Sequence, residues 1–328
     1  MGKQDTITKK YMRRPEIFAD VFNQFLYHGR QRILPDRLVE LDTTEIVLPY
    51  GAAGNASVPE QRYRDVAKLL TAMTDDRGAY CILAVENESK INYAMPVKDG
   101  LYDFMQLAKQ VTEAARSHKK SDIMPTADEY LSGFWKSDRL LPVVTLVVYF
   151  GAEEWDGPLS LKEMYADTDE EILKYATDYH INLIAPKRLS DCELDEFHTS
   201  FREVMKFIKY SSDGQRLATE VSADERFKSV ERQAVEVINA VTGSRVKYPK
   251  RKEEVDMCAA IQEIREEGKL EGRLEGEIIG VIRSDKRRGV LKEDTLQYLM
   301  EEYQKSYSVY RFIILSGGFP CDYDEFYE

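Results

Sequence analysis

Two stretches of the chain are too continuously apolar to be surface segments. One is "AYCILAV", opening "AYCILAVENESK" (Ala79 to Lys90), and the other is "LLPVVTLVVYFG" (Leu140 to Gly151). Both run only a few residues before a polar or glycine signal, and both favour large or β-branched side chains, which is the pattern of buried strands. The second, nearly all Val, Leu and Thr, is of the kind covered on both faces. Strands of this kind need helices against them, and that requirement narrows the fold to α/β classes.

The helices are present. "PEIFADVFNQFLYHG" places Pro15 in a first turn and aligns Ile17, Phe18, Val21, Phe22, Phe25 and Leu26 in one apolar stripe. After Pro96 the period returns to three and four, with Leu101, Phe104, Met105, Ala108, Val111 and Ala115 predicting a helix that buries that side. "LDEFHTSFREVMKFIKYSS" predicts another, with Phe197, Phe201, Val204, Met205 and Ile208 inward. Strands are also expected in "TTEIVLPYG" (Thr43 to Gly51) and "YHINLIAP" (Tyr179 to Pro186), and "RYRDVAKLL" and "AYCILAVENES" read as a hairpin joined through "TAMTDDRG".

The expected organisation is a basic N-terminal arm over 1–14, a mixed α/β domain over 15–212, a helical region over 213–303, and a divergent tail over 304–328. The helical region contains "FKSVERQAVEVINAVTG", closing on Gly243, and "EEGKLEGRLEGEIIG", which repeats glycine at Gly268, Gly272, Gly276 and Gly280. Each interior helical glycine costs about 0.5–1 kcal/mol relative to alanine. The stripe is therefore read either as a face for close approach of a second copy, giving a homo-oligomer, or as a weakly stable exposed helix.

Composition excludes several classes. No apolar run approaches membrane-span length and the first residues carry no signal-peptide core, so a cytoplasmic, non-membrane protein is expected. The four cysteines (Cys81, Cys192, Cys258, Cys321) are too dispersed for a zinc site or a disulfide scaffold. A net charge of −12 rules out a surface that grips nucleic acid everywhere, though not a local basic groove. Basic clusters stand at Lys9 to Arg14, Arg116 to Lys120, Arg245 to Lys252 and Arg283 to Arg288.

The chemistry concentrates at the end of the first buried strand. Residues i and i+2 of a strand share a face about 7 Å apart, so Glu86 and Glu88 lie side by side. Their repulsion is about 2 kcal/mol at an effective dielectric of 20. A cation compensates such a pair, and hard oxygen ligands suit Mg²⁺ or Mn²⁺. Asp65, on the partner strand of the hairpin, supplies a third carboxylate. The alternative is that the strand simply exits into solvent at Glu86. His28, His118, His180 and His198 lack metal-ligand spacing, Asp20 is expected on the solvent side of its helix, and "GAEEWDG" reads as a polar loop anchored by Trp155.

"YRDVAKLL", "AVENESKINYAMPVKDGLYD" and "LLPVVTLVVYFGAEEWDGPLSL", taken in order, resemble the bacterial Rpn family of recombination-promoting nucleases, also described as YhgA-like transposases. That family belongs to the PD-(D/E)xK nuclease superfamily, and the resemblance covers roughly residues 15–210. It implies a restriction-endonuclease-like mixed sheet flanked by helices, with a helical C-terminal extension. It implies DNA as the partner and metal-dependent hydrolysis of phosphodiester bonds in recombination or mobile-element movement. The family's motif aspartate falls on Asp65, preceded by Arg64 where the superfamily has proline. Its strand glutamate falls on Glu86, and its usual glutamine falls on Glu88, a departure. The basic residue after "MP" falls on Lys98, with Tyr102 one turn later.

On this pattern Asp65 and Glu86 bind Mg²⁺ or Mn²⁺, with the Asn87 carbonyl as a further ligand and Glu88 as a metal ligand or proton acceptor. Lys98, or Lys90, supplies the positive charge lost at position 88. A catalytically weakened DNA-binding or assembly protein that keeps the fold is the alternative.

Overall fold

The computed structural model describes residues 3–41, 44–47, 60–63, 65–70, 81–120, 122–167, 169–248 and 253–303. The divergent tail, Arg64 and the hairpin turn lie outside them. The elements in chain order are α1 (Lys3–Met12), α2 (Pro15–Tyr27), β1 (Leu38–Glu40), β2 (Thr44–Val47), β3 (Glu60–Tyr63), β4 (Val66–Leu70), β5 (Cys81–Glu88), α3 (Met95–His118), α4 (Ala127–Ser132), β6 (Val143–Tyr149), α5 (Glu170–Leu173) and β7 (Asn182–Ile184). They continue with α6 (Asp191–Asp195), α7 (Phe201–Tyr210), α8 (Gly214–Ala223), β8 (Val230–Glu231), α9 (Arg232–Thr242), β9 (Glu254–Val255), α10 (Met257–Arg288) and α11 (Lys292–Tyr303).

One five-stranded mixed sheet organises the first part of the chain, in the order β1-β4-β5-β6-β7. The β4–β5 pair is the expected hairpin, antiparallel from Val66 opposite Val85 to Leu70 opposite Cys81. β5 and β6 run parallel, with Glu86 beside Val147 and Glu88 beside Tyr149, and β7 continues parallel on β6. The two most apolar runs are thus the central strand and one of its two neighbours. Helices flank the sheet, as the restriction-endonuclease-like reading requires, and the C-terminal segment is helical. β2 and β3 form a separate two-stranded pair, as do β8 and β9.

The N-terminal segment, expected as an arm, is a helix that buries Thr8, Tyr11 and Met12 and packs on α9. Tyr11 bonds Ser200 at 2.8 Å, ahead of α7, and Arg14 pairs with Glu231. α8 and α9 also pack on α7. The first compact unit runs from Met1 to Met257 and includes α1, α7 and α9, whose hydrophobic sides are buried.

The third helix corrects the sequence reading most. Its buried residues are Met95, Pro96, Asp99, Gly100, Tyr102, Asp103 and Gln106, whereas Phe104 is 59% exposed. The expected apolar stripe is thus half-buried at Leu101, Met105, Val111 and Ala115, exposed at Phe104 and Ala108, and nowhere fully buried. Specific partners decide the rotation: Thr145 of β6 donates to Asp103 at 2.6 Å, and Tyr179 donates to Asp103 at 2.6 Å. A buried carboxylate with such donors is stable inside, so pattern alone misassigns the face.

The second unit, Cys258–Glu328, carries nearly all of α10 and α11. α10 ends at Gly289, whose φ of +70° a side chain would resist, and Thr295 donates to Asp285 at 3.0 Å. The four glycines of the repeat are exposed, and among the described residues no atom lies within 4 Å of where a Cβ would stand on any of them.

Candidate active site

The site is built where β4 and β5 end and α3 begins. Continuing the hairpin register one residue past Val66 opposite Val85 brings Asp65 opposite Glu86. Asp65 Oδ2 accepts the Asn87 N–H at 2.8 Å, so its carboxylate lies at the peptide bond that follows Glu86. Glu86 is 2% exposed, far from the solvent exit that was the alternative reading. A buried carboxylate requires a cation or donors.

α3 supplies the cation. Lys98 Nζ lies 3.1 Å from Glu86 Oε2 and 2.7 Å from Glu88 Oε1. Burial opposes the Lys98 charge, but Glu86 and then Glu88 outweigh it and raise the ammonium well above the ordinary lysine range. Positive charge is therefore brought to Glu86 and Glu88 from the start of the following helix. Asn92 Oδ1 accepts the Ala94 N–H at 3.0 Å and Pro96 occupies the first turn, which fixes where that helix starts.

A second lysine arrives from an element that the sequence reading left out of the site. Lys9 of α1 stands 3.8 Å from Asp65 Oδ1 and is only 15% exposed in its side chain. Its sequence signal was merely the first residue of a basic cluster; nothing local tied it to Asp65. The other sequence candidates separate. Asp20 is buried and accepts the His198 and Thr199 N–H groups, each at 3.0 Å or less, as well as the Thr199 hydroxyl. It satisfies the backbone ahead of α7 rather than facing the solvent or the carboxylates. Trp155 is buried and donates to the Gly157 carbonyl, as an anchored loop should. Lys90 is exposed.

The donor types fit a hard divalent cation. Asp65 and Glu86 are carboxylates at adjacent strand ends, and the Asn87 main chain runs between them. Among the described residues no three His, Cys, Asp or Glu side chains are gathered for a metal, and the charge that faces Glu86 and Glu88 is that of Lys98. Glu88 is engaged by this lysine. Asp65 and Glu86 are thus the residues that would hold a metal.

A family model described as "Putative transposase, YhgA-like" matches residues 4–234. The chain belongs to this YhgA-like family. The match takes in α1 through the start of α9, including Lys9, Asp65, Glu86, Glu88 and Lys98, and membership gives the chain a role related to mobile elements. No curated protein and no solved structure matches it. No helix among the described residues is long and apolar enough to cross a membrane.

Proposed function

We propose that this YhgA-like protein is a metal-dependent DNA endonuclease acting in recombination or mobile-element movement. The observation that carries the reading is Lys98, brought by α3 onto the two glutamates of β5 beside Asp65. Two strand-end acids and a lysine at one point are what phosphodiester hydrolysis needs: ligands for a cation, a group to order water and a positive charge for the phosphate.

Asp65 and Glu86 would hold Mg²⁺ or Mn²⁺, and the Asn87 N–H keeps Asp65 oriented for that role. A metal held there would lower the pKa of a bound water and polarise the phosphoryl oxygen. Lys98, held charged by its two neighbours, donates to a non-bridging phosphate oxygen as negative charge builds there. Glu88 orients Lys98 and accepts the proton of the attacking water. In a chain of net charge −12, Lys9 and Lys98 offset part of the negative charge that Asp65, Glu86 and Glu88 would present to a DNA phosphate.

A catalytically weakened DNA-binding or assembly protein is the second reading. It is favoured by the shorter of the two Lys98 contacts, which is to Glu88, the residue replacing the family's neutral glutamine. Plasmid cleavage with Mg²⁺ or Mn²⁺ separates the two. An active nuclease nicks DNA as the wild-type chain and loses at least about a hundredfold in rate in both Asp65→Ala and Glu86→Ala. Cleavage that rises in Glu88→Gln marks an impaired site, and no cleavage at any salt or metal abandons the nuclease reading.

A further inference from the structure

The segment "GAEEWDGPLSL" takes no direct part in the carboxylate cluster, yet it begins a chain of contacts that ends there. Gly157 is so tightly enclosed that a Cβ would meet Ile91 at 3.0 Å and the Trp155 indole at 3.2 Å. The chain then passes through Leu159 to Leu161, which grips the segment before β7: Ile181 N–H donates to Leu159 O at 2.9 Å and Leu161 N–H to Tyr179 O at 3.1 Å. A bridge between Ser160 and His180 completes the grip.

Tyr179 is thereby fixed against α3. Its ring covers Gly100 so closely that a Cβ there would stand 3.2 Å from Tyr179 Cγ. Its hydroxyl donates to Asp103 at 2.6 Å and lies 3.2 Å from Asp99, and both aspartates are buried. Asp99 and Gly100 directly follow Lys98. With helical side chains reaching about 6 Å from the axis, a 20° rotation of α3 moves a side-chain tip by about 2 Å. That is enough to part Lys98 from Glu88, now 2.7 Å away.

We infer that Tyr179 is a positioning residue for the site: its ring on Gly100 and its hydroxyl between Asp99 and Asp103 set the rotation of α3 and so hold the Lys98 ammonium on Glu86 and Glu88. The catalytic consequence rests on the nuclease reading; the positioning does not.

The test labels the full chain with ¹⁵N-lysine and follows the Lys98 ammonium signal, assigned by its loss in Lys98→Gln. An ammonium held by two carboxylates exchanges its protons slowly and gives a resolved signal at neutral pH. Tyr179→Phe, and independently Gly100→Ala, should abolish that signal or speed its exchange about tenfold or more, since exchange reports local opening. Ile208→Val in the core of α7 lowers stability without touching α3 and should leave the signal intact. In plasmid cleavage, Tyr179→Phe lowers kcat with KM unchanged and adds nothing in a Lys98→Gln background. A wild-type chain with no Lys98 signal, an unchanged signal in Tyr179→Phe, or additive rate losses in the double variant each overturn the inference. If the wild-type chain cleaves nothing, the nuclease reading falls and the lysine signal alone decides the positioning role.

Discussion

Two clusters of buried charge lie on different parts of the first unit, and they are built in opposite ways. Around α7, Arg202 reaches Asp195 at 2.8 Å through Nε, Glu203 at 3.1 Å and Asp224 at 2.8 Å, while Arg226 meets Glu203 at 2.8 Å and Lys206 meets Asp224 at 2.9 Å. Arg202 alone spans three acids there, and guanidinium forks occupy several acceptors at once. At the strand ends, by contrast, Asp65 meets Lys9 while Glu86 and Glu88 share Lys98, each lysine reaching through a flexible stem. The first arrangement closes a structure. The second gathers acids at the C-terminal end of a parallel strand pair, the side of an open α/β sheet where ligands bind.

The comparison can be broken from either side. Truncating Arg202→Ala leaves Glu203 to Arg226 and Asp224 to Lys206 and should cost about 1.5–3 kcal/mol, read by denaturant unfolding. A loss below 1 kcal/mol would mean that the α7 network is not closed as described. Next in size, Lys98→Gln should slow DNA cleavage by about tenfold or more yet shift the unfolding midpoint far less than Arg202→Ala. Equal damage to stability would make the strand-end cluster structural after all. Asp20→Ala removes the acceptor ahead of α7 and should cost about 1–2 kcal/mol with cleavage by the remaining folded protein unchanged.

The smallest effect is on pH. Burial opposes the Asp224 charge, but the hydrogen bonds from Lys206 and Arg202 hold its carboxyl below the usual carboxylate range. A depressed folded value stabilises the fold above the unfolded pKa, near 3.9, and that contribution is lost as pH falls through the folded value. Melting temperature should therefore drop between pH 5 and pH 3, and the drop should be smaller in Asp224→Asn. Burial instead raises Glu203 against the pull of Arg226 and Arg202, so its contribution runs the other way and declines as pH rises. A profile flat below pH 5 in the wild-type chain would contradict the Asp224 assignment.

Much of the scaffold was legible because it rests on local pattern. The β4–β5 hairpin, the interior strand β6, the stripe of Ile17, Phe18, Val21 and Phe22, and the close of α9 at Gly243, whose φ is +70°, all follow from periodicity and turn chemistry. The helix expected over 194–212 kept its inward residues but is interrupted between α6 and α7, with Asp20 satisfying the backbone at the break. α3 shows where pattern misleads. Its apolar residues promised the buried side, while Asp99, Asp103 and Gln106 took it, because Thr145 and Tyr179 offer donors that only the folded chain brings near.

The sequence by itself determined the mixed α/β class, the carboxylates at the end of β5 and the partnership of Asp65 with Glu86, since strand register is a short-range property. Only the tertiary structure decided how their charge is met. Lys98 arrives across a strand-to-helix turn, Lys9 from a helix that looked like a free arm, and Tyr179 from a segment before the last strand of the sheet. The physical reason is common to all three: a charge or a hydroxyl finds its partner through space, and spacing along the chain carries no record of that distance.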